Sequence, residues 1–512
     1  MDEELVLARI ELARLDAQAD NLLQQFLNIK EAAAAQRTKI DEILRKRPTP
    51  INQLPAELLL DILSLAMPSK GDVSQYLHSS YGLRRLELAS VSRRWRDIIC
   101  GCPSFWTTIE VGPSTPSLAI HLKRSKDAPL DVIIRCQPVY GSTARTAVDQ
   151  ILAKLASLIA SVHRWRTMVI IGDVGLLQLH HPIVSKFSRL TFPSLKSVII
   201  RPSQPLDPIS ANALLTYPDF LAPKRTPVLE HMELDGYSSS AHLRTANTLK
   251  TLKLTILPEF TGFDSTFLRR IPAESLTTLS LTGDIALLAL ARNSVPFPVL
   301  RTLILHCTGG KQFLEAIVVP NLERFVYIRD IREHHGAAVF GDLESKFDHV
   351  QQLSFSWAAA GLGLPTDFDL DRGDTIALLN AFPFVHHAEV DLRVIYPVFD
   401  HPGSWRLLQS LTFNIILGDD WSLGTDRLVS WLKARQGLGL PRLRLKLSAA
   451  PFDNSWKSPP ESDVGTFAKL YEDLRMHCDL YLEDFLLRPS MFLSMEGNSP
   501  LRVVSLESCD VQ

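Results

Sequence analysis

Apolar side chains recur at alternating spacings of three and four residues along the first 47 residues of the chain. This spacing places them on one stripe of a helix, as in the seam of a coiled coil. Neither Pro nor Gly interrupts the segment, and Pro48 and Pro50 follow it, so the pattern predicts one helix over 1–47. Two interpretations stay open: the helix packs on its own chain or forms a short stalk, or it self-associates weakly. The seam comprises Leu5, Ala8, Leu12, Leu15, Ala19, Leu22, Phe26, Ile29, Ala33, Gln36, Ile40 and Ile43.

Two shorter helices are predicted over 48–112. The first begins near Pro55, because the fixed φ of proline suits a helix start, and Leu58, Ile62 and Leu65 share one of its faces. So small a helical pair presents more apolar surface than it can bury alone, so we expect a partner. The second helix runs from about 83 to 100, and its shared face comprises Leu88, Val91, Trp95 and Ile98.

This stretch resembles an F-box. The family pattern Leu-Pro-x-Glu with aliphatic residues after it, then a Val-Ser helix with a Trp, is present in order, although the insertion over about 69–81 is longer than in compact F-boxes. The sequence over 102–106, Cys-Pro-Ser-Phe-Trp, is similar to a tail common in F-box proteins of mushroom-forming fungi. By this resemblance the adaptor-binding residues are Leu54, Pro55, Glu57, Leu58, Ile62, Leu63, Val91 and Trp95.

The rest of the chain repeats a hexad of the form Leu-x-x-Leu-x-Leu, with other apolar residues substituted. Such hexads, spaced by about 20–29 residues, are typical of leucine-rich repeats, in which the fourth and sixth positions point inward from a short strand. Spacings here are irregular, and an ordinary α/β domain with a parallel sheet is the alternative. Ten hexads begin at residues 195, 229, 249, 276, 300, 322, 350, 385, 408 and 501.

The segment 113–190 is predicted to be an irregular α/β entry to these repeats, with strands at 130–134 and 167–171 flanking a helix over 143–162. The expected fold is therefore an N-terminal helix (1–47), a helical F-box-like domain (48–112), this entry and an irregular leucine-rich-repeat solenoid over 191–512, of the α+β or α/β class. Return helices between strands are expected at 375–382 and 427–435.

The residues between the inward positions of each hexad point to the other side of the strand. Stacked strands would join them into one face, the usual concave binding surface of a solenoid. Its lining is polar with mixed charge, which favours a protein or peptide partner. The candidate substrate-binding residues on this face are His231, Glu233, Asp235, Lys253, His306, Glu389 and Asp391.

Charge and composition narrow the function further. Lys and Arg total 54 against 56 Asp and Glu, a net charge of −2, which argues against a chain-wide nucleic-acid or membrane-binding surface. Six cysteines are too few for a disulfide scaffold, the start Met-Asp-Glu-Glu is unlike a signal peptide, and no apolar run approaches the ~20 residues of a membrane span. These features together predict a cytoplasmic or nuclear protein.

Catalytic and metal-binding motifs are not apparent. The sequence holds no nucleophile elbow, zinc-protease motif or phosphate-binding loop. We therefore predict no catalytic residue, no cofactor and no metal. The weak candidates are Cys100-x-Cys102, which lacks a second pair, the adjacent histidines at 180–181, 334–335 and 386–387, and Asp367-x-Asp369-x-Asp371, with Arg372 and Leu378 where a calcium loop needs Gly and Glu.

An F-box followed by leucine-rich repeats is the layout of substrate receptors in cullin-type ubiquitin ligases. The resemblance thus implies a Skp-type adaptor, a cullin reached through it, and an unknown protein substrate as partners. The receptor itself would be noncatalytic and would act by raising the local concentration of substrate. The alternative is a noncatalytic solenoid scaffold whose F-box-like unit does not join a ubiquitin ligase.

Overall fold

The chain divides into two compact units, Met1–Trp106 and Thr107–Gln512. The predicted four-part division is finer than this and stays a prediction. The structure is a computed structural model, and it describes residues 2–46, 51, 54–67, 81–112, 118–136, 144–172, 183–202, 219–235, 247–256, 268, 270–285, 290–329, 339–357, 372–391, 396–415, 422–449 and 472–483.

The first unit is helical. Helix α1 covers nearly the whole predicted heptad segment and ends before the prolines. Most of the predicted insertion over 69–81 lies outside the described residues. Helices of this unit are α1 (Asp2–Lys46), α2 (Ala56–Leu65), α3 (Tyr81–Val91) and α4 (Arg93–Gly101), with a 3-10 turn at Pro103–Trp106 after them.

The single helix predicted over about 83–100 is wrong, because the chain breaks at Ser92 into α3 and α4. Ser92 adopts extended angles, with φ −156° and ψ 164°, and its side chain accepts a hydrogen bond of 3.2 Å from the backbone N–H of Trp95. This is the geometry of a helix N-cap, which satisfies one of the amides left without a carbonyl at the start of α4. Because of this break, the orientation of Trp95 depends on the axis of α4 and not on that of α3.

The second unit is built on one 14-stranded sheet in which every strand pairs in parallel with the next. Neighbouring strands follow chain order throughout, with no reversal of direction across the sheet. An ordinary doubly wound α/β domain reverses its strand order at a switch point, and the described strands contain none. The strands of this sheet are β1 (Thr108–Val111), β2 (Leu130–Cys136), β3 (Trp165–Gly172), β4 (Ser197–Pro202), β5 (His231–Asp235), β6 (Thr251–Ile256), β7 (Thr278–Asp284), β9 (Thr302–Thr308), β11 (Arg324–Arg329), β12 (Gln352–Trp357), β13 (His387–Asp391), β14 (Ser410–Ile415), β15 (Arg444–Ala449) and β16 (Asp479–Glu483).

Helices and short turns connect these strands. The predicted return helices at 375–382 and 427–435 and the two predicted entry strands are present in longer form. The entry helix predicted over 143–162 is present but shorter. A second, two-stranded parallel sheet joins β8 (Val295–Pro296) to β10 (Ile317–Val318). The helices are α5 (Leu118–Ser125), α6 (Ala144–Ile159), α7 (Gly310–Ala316), α8 (Arg372–Ala381) and α9 (Ser422–Gly437).

The core of the second unit is made by the hexads. In the nine hexads from residue 195 to residue 413, the first, fourth and sixth side chains are all buried, and the tenth, at 501–506, lies outside the described residues. The fourth and sixth positions lie on strands β4–β7, β9 and β11–β14 in matching register, for example Leu252 opposite Leu279. The whole chain is thus mixed α/β, with an N-terminal helix and a long parallel sheet compatible with a solenoid.

Strands β15 and β16 extend the sheet beyond the predicted hexads. Their inward residues, including Leu445 and Leu480, continue the ladder. The first hexad position, two residues before each strand, should be apolar. It is polar here, Arg442 before β15 and His477 before β16, so these strands do not match the hexad pattern. The adjacent Leu443 and Cys478 are buried instead and fill the entry position one residue later.

Two features are absent from the described residues. None of the described helices has the combination of length and hydropathy that a membrane crossing requires. Within the same residues, His, Cys, Asp and Glu side chains nowhere gather in threes in a way that could hold a metal ion.

Candidate functional site

Helix α2 has two apolar faces with opposite environments. Leu59 and Leu63, one turn apart, are fully buried in the core of the first unit. Leu58 and Ile62, also one turn apart, are 51% and 40% exposed. Because the core is filled by one face, the other face presents apolar side chains to solvent, which is the arrangement expected of a docking helix.

The predicted adaptor-binding residues divide between this outer face and the core. Pro55 and Glu57 are exposed beside Leu58 at the start of α2, and Val91 is exposed at the end of α3. Leu54 is half-buried, and its carbonyl accepts a hydrogen bond from the guanidinium of Arg94. Trp95 is half-buried and packs against the core.

Leu63 requires a correction. Its side chain is completely buried in the cluster that also holds Leu88 and Ile99. A side chain with no exposed surface contributes through packing, so we assign Leu63 to the core and not to the docking surface. Its period-four spacing from Leu59 is the signal that separates it from Leu58 and Ile62.

Three further exposed apolar residues of α2 and α3 were not among the predicted adaptor-binding residues. Leu65, at the end of α2, is 86% exposed. Leu83 and Leu86 on α3 are exposed, whereas Tyr81, Arg85 and Leu88 line the buried face of the same helix. The three-to-four-residue spacing of the buried set already places Leu83 and Leu86 on a different face.

The 102–106 tail is held by a buried arginine. Arg85 lies over the Trp106 ring, with its guanidinium carbon 4.0 Å from the ring centroid, and donates a 3.0 Å hydrogen bond to the carbonyl of Phe105. The Trp106 indole N–H donates a 2.8 Å bond to the carbonyl of Ile99 in α4. A buried charge needs such partners, so these contacts fix the tail against α3 and α4.

Replacing Arg85 with Met should loosen the tail and α4 without removing the apolar bulk of the stem. The lost cation–π contact and charged hydrogen bond predict amide exchange roughly 10–100-fold faster over 93–106. Hydrogen exchange read by mass spectrometry on the full chain measures this. Arg84→Met is the matched control, because Arg84 is exposed; equal effects from both variants would contradict a structural role specific to Arg85.

Comparison with known proteins identifies this unit. Residues 51–111 match the F-box-like family model. The match spans α2, α3, α4 and the 3-10 turn, and ends in β1. No curated protein matches the chain. F-box domains generally bind Skp-type adaptors and are typically noncatalytic.

A second candidate surface lies outside the F-box-like domain, on the face of the sheet opposite the hexad core. On β5 the burial alternates along the strand, so His231, Glu233 and Asp235 share this outward face. Register places Lys253 of β6 beside Glu233. The Lys253 ammonium and the Arg201 guanidinium lie 3.6 Å and 3.8 Å from the Glu233 carboxylate. Four predicted residues therefore meet, together with Arg201, which sequence reasoning missed.

Burial perturbs the titration of this cluster. Burial lowers the pKa of His231, and the nearby Glu233 carboxylate partly opposes that shift while Lys253 adds to it. Burial also raises the pKa of Asp235, opposed by a hydrogen bond from Thr255 and by the charge of Arg201. In both side chains, burial thus acts against the charged form.

The remaining predicted residues of this face lie farther along the sheet. His306 is on β9 and Glu389 is on β13, both half-buried; Asp391 ends β13, and its side chain lies outside the described part. They do not share a strand or a neighbouring strand with the Glu233 cluster. The predicted face thus holds the Glu233 cluster and, separate from it and from each other, His306 and Glu389.

Apolar residues interrupt the polar lining that the sequence predicts. Ile304 of β9 pairs with Val326 of β11, and Ile328 of β11 pairs with His306, so these side chains form one half-buried patch. The patch lies between the Glu233 cluster and Glu389 in the strand order. At β2–β4 the same row is apolar and buried, with Ile133, Val169 and Ile199. Along this row from β2 onward, Glu233 on β5 is therefore the first side chain that is partly exposed.

The weak metal candidates of the sequence gain no support from geometry. None of the described cysteines forms a disulfide, and the rings of His386 and His387 are 6.5 Å apart and tilted. Burial raises the pKa of the Cys136 thiol to about 12, which keeps it protonated and unreactive. The histidines at 180–181 and 334–335 and the acidic run at 367–371 lie outside the described residues.

Proposed function

We propose that this protein is the substrate-recognition subunit of a Skp-cullin-F-box ubiquitin ligase. The observation that carries the proposal is the F-box-like match over 51–111 on a helical unit whose α2 exposes Leu58 and Ile62 while Leu59 and Leu63 fill its core. In this proposal the outer face of α2, with Pro55 and Glu57, docks the Skp-type adaptor. The cullin is reached through that adaptor, and the chain performs no bond chemistry.

The sheet unit is proposed to be an irregular leucine-rich-repeat solenoid that holds the substrate. Nine buried hexads and a strand order that follows the chain support it. The similarity of the 102–106 tail to those of mushroom-forming fungi extends the proposal to that type of F-box protein. Because one chain would bind both the adaptor and the substrate, the local concentration of substrate near the ubiquitin-charged enzyme would rise.

The outward face from β5 onward is the proposed substrate-binding surface. It combines an apolar patch at Ile304, Val326 and Ile328 with charged groups on both sides, at Glu233 and at Glu389. An apolar centre with a charged surround is the usual composition of a protein-binding surface, in which apolar contacts supply affinity and charges supply specificity. A protein or peptide substrate fits this lining better than a lipid or a nucleic acid does.

Co-purification with a Skp-type adaptor tests the ligase assignment. The full chain should bring down adaptor and cullin in stoichiometric amounts from cells of its own source. The alternative function is a noncatalytic scaffold whose F-box-like domain joins no ligase. A scaffold of this kind would fold normally but would bring down neither adaptor nor cullin. With cullin neddylation blocked, mass spectrometry of the same purification should then identify the trapped substrate.

Neutralising carboxylates on the outward face should remove substrate capture and leave the adaptor bound. The variant Glu233→Gln/Asp235→Asn/Glu389→Gln keeps side-chain size, and we expect captured substrate to fall roughly ten-fold or more. Quantitative mass spectrometry against the adaptor signal measures it. The control neutralises three exposed carboxylates away from the strands of this face, at Glu344, Asp400 and Asp426. Unchanged capture by the first variant, or equal loss in the control, would argue against this surface.

A further inference from the structure

Helix α1 exposes its apolar seam over all the seam residues whose side chains are described. At 45 residues it is about 68 Å long, and every side chain described over 5–40 is exposed. The seven large apolar seam residues of this stretch are 49–69% exposed. Helices in proteins owe most of their stability to the packing of an apolar face, so a helix with such an exposed stripe needs a second surface to pack against. The seven are Leu5, Leu12, Leu15, Leu22, Phe26, Ile29 and Ile40.

We propose that α1 pairs with α1 of a second copy of this chain in an antiparallel two-stranded coiled coil. In that arrangement, residues whose numbers add up to about 48 face each other across the seam. The sizes of the seam residues then match, because all three alanines meet a large side chain of the second copy. The facing pairs are Ala8 with Ile40, Leu12 with Gln36, Leu15 with Ala33, Ala19 with Ile29, and Leu22 with Phe26.

A parallel pairing in register fits these side chains less well. Every seam residue would face itself, so Ala8, Ala19 and Ala33 would make three layers too small to fill the space between helices, while Phe26 would crowd its own copy. Cavities and overpacking in a seam both cost stability. Alternation of large and small residues across the interface avoids both.

Charge along α1 favours the same direction. Residues 2–24 hold two arginines and six carboxylates, net −4, and residues 25–46 hold five basic and three acidic residues, net +2. Antiparallel helices place the acidic half of one copy along the basic half of the other, and parallel helices place like halves together.

The residues that flank the seam refine this argument. Across the antiparallel pair, Glu11 lies opposite Lys39 and Asp16 opposite Lys30, against one repulsive combination, Arg9 with Arg37; symmetry repeats all three. In the parallel pair Glu11 would instead lie beside Asp16 of the second copy. The attractive contacts thus outnumber the repulsive one only in the antiparallel direction.

Light scattering of the full chain after size exclusion tests the pairing. We expect twice the 57.3 kDa chain mass, and the chain mass for Leu15→Glu/Leu22→Glu, whose carboxylates would be buried in the seam. The matched control is Leu7→Glu/Ile10→Glu, since both residues are exposed apolar positions of α1 off the seam. A dimer for the control and a monomer for the seam variant support the proposal. A monomeric wild-type chain, a larger assembly, or dissociation of both variants overturns it.

A charge reversal determines the direction. Asp16→Lys places an ammonium opposite Lys30 in the antiparallel pair, so the dimer dissociation constant should rise roughly ten-fold. The double variant Asp16→Lys/Lys30→Asp should restore it. In a parallel pair, Asp16→Lys would face Glu11 and tighten the dimer. Sedimentation velocity on the full chain measures these constants, and a tighter or unchanged dimer for Asp16→Lys overturns the antiparallel assignment.

Discussion

The variant Leu58→Glu/Ile62→Glu should lose the Skp-type adaptor while the chain stays folded. Both side chains lie on the exposed face of α2, so a carboxylate there can reach water in the free protein. Within an apolar interface the same carboxylate would be buried without a partner, which is far more costly. We expect adaptor affinity to fall roughly 100-fold or more, as measured by titration calorimetry with purified adaptor.

Two further variants make this result decisive. Ile120→Glu introduces the same charge on α5 of the sheet unit at a residue that is also 51% exposed, and should bind adaptor normally. Leu63→Ala removes a fully buried side chain and should lower the stability of the F-box-like domain by about 2–5 kcal/mol. Normal adaptor binding by Leu58→Glu/Ile62→Glu, with an unchanged circular dichroism melt, would remove the basis of the ligase proposal.

The sheet was predictable because its signal repeats. A single hexad such as Leu300, Leu303 and Leu305 has no specificity, but hexads that recur place buried leucines on successive strands, and all nine that the structure describes are buried. Parallel strands buried on one face must alternate, so burial at the fourth and sixth positions also determines the outward face. That is why the sequence alone was enough to assign His231, Glu233 and Lys253 to one surface.

Features set by a single residue or by contacts between distant segments were not predictable. Ser92 divides a helix through its own φ and one hydrogen bond, and no periodic pattern reports this. Arg201 joins Glu233 only through the register of β4 with β5. Leu443 shifts the repeat by one residue, which a fixed hexad template excludes. Each case depends on local geometry or strand pairing rather than on composition.

The close approach of β6 and β7 makes Gly283 the most sensitive glycine of the sheet. It pairs with Ile256 and has a φ of +109°, in a region that side chains rarely adopt. A β-carbon built there would overlap the backbone carbonyl of Ile256, which cannot move without disturbing the ladder. The backbone carbonyl of Ile256, unlike the end of a flexible side chain, cannot rotate away without moving its strand.

Gly283→Ala should therefore destabilise the sheet unit by about 3 kcal/mol or more, the sum of strained φ and displaced backbone. Gly439→Ala separates the two contributions, because Gly439 has a φ of +72° and nothing within 4 Å of a β-carbon, so it carries backbone strain alone, about 1 kcal/mol. Gly437→Ala, at the end of α9 and also with nothing within 4 Å, should cost nothing. Urea midpoints followed by far-ultraviolet circular dichroism rank the three. Equal losses of stability for Gly283→Ala and Gly439→Ala would contradict this prediction. They would mean that the backbone of Ile256 leaves room for a β-carbon at residue 283.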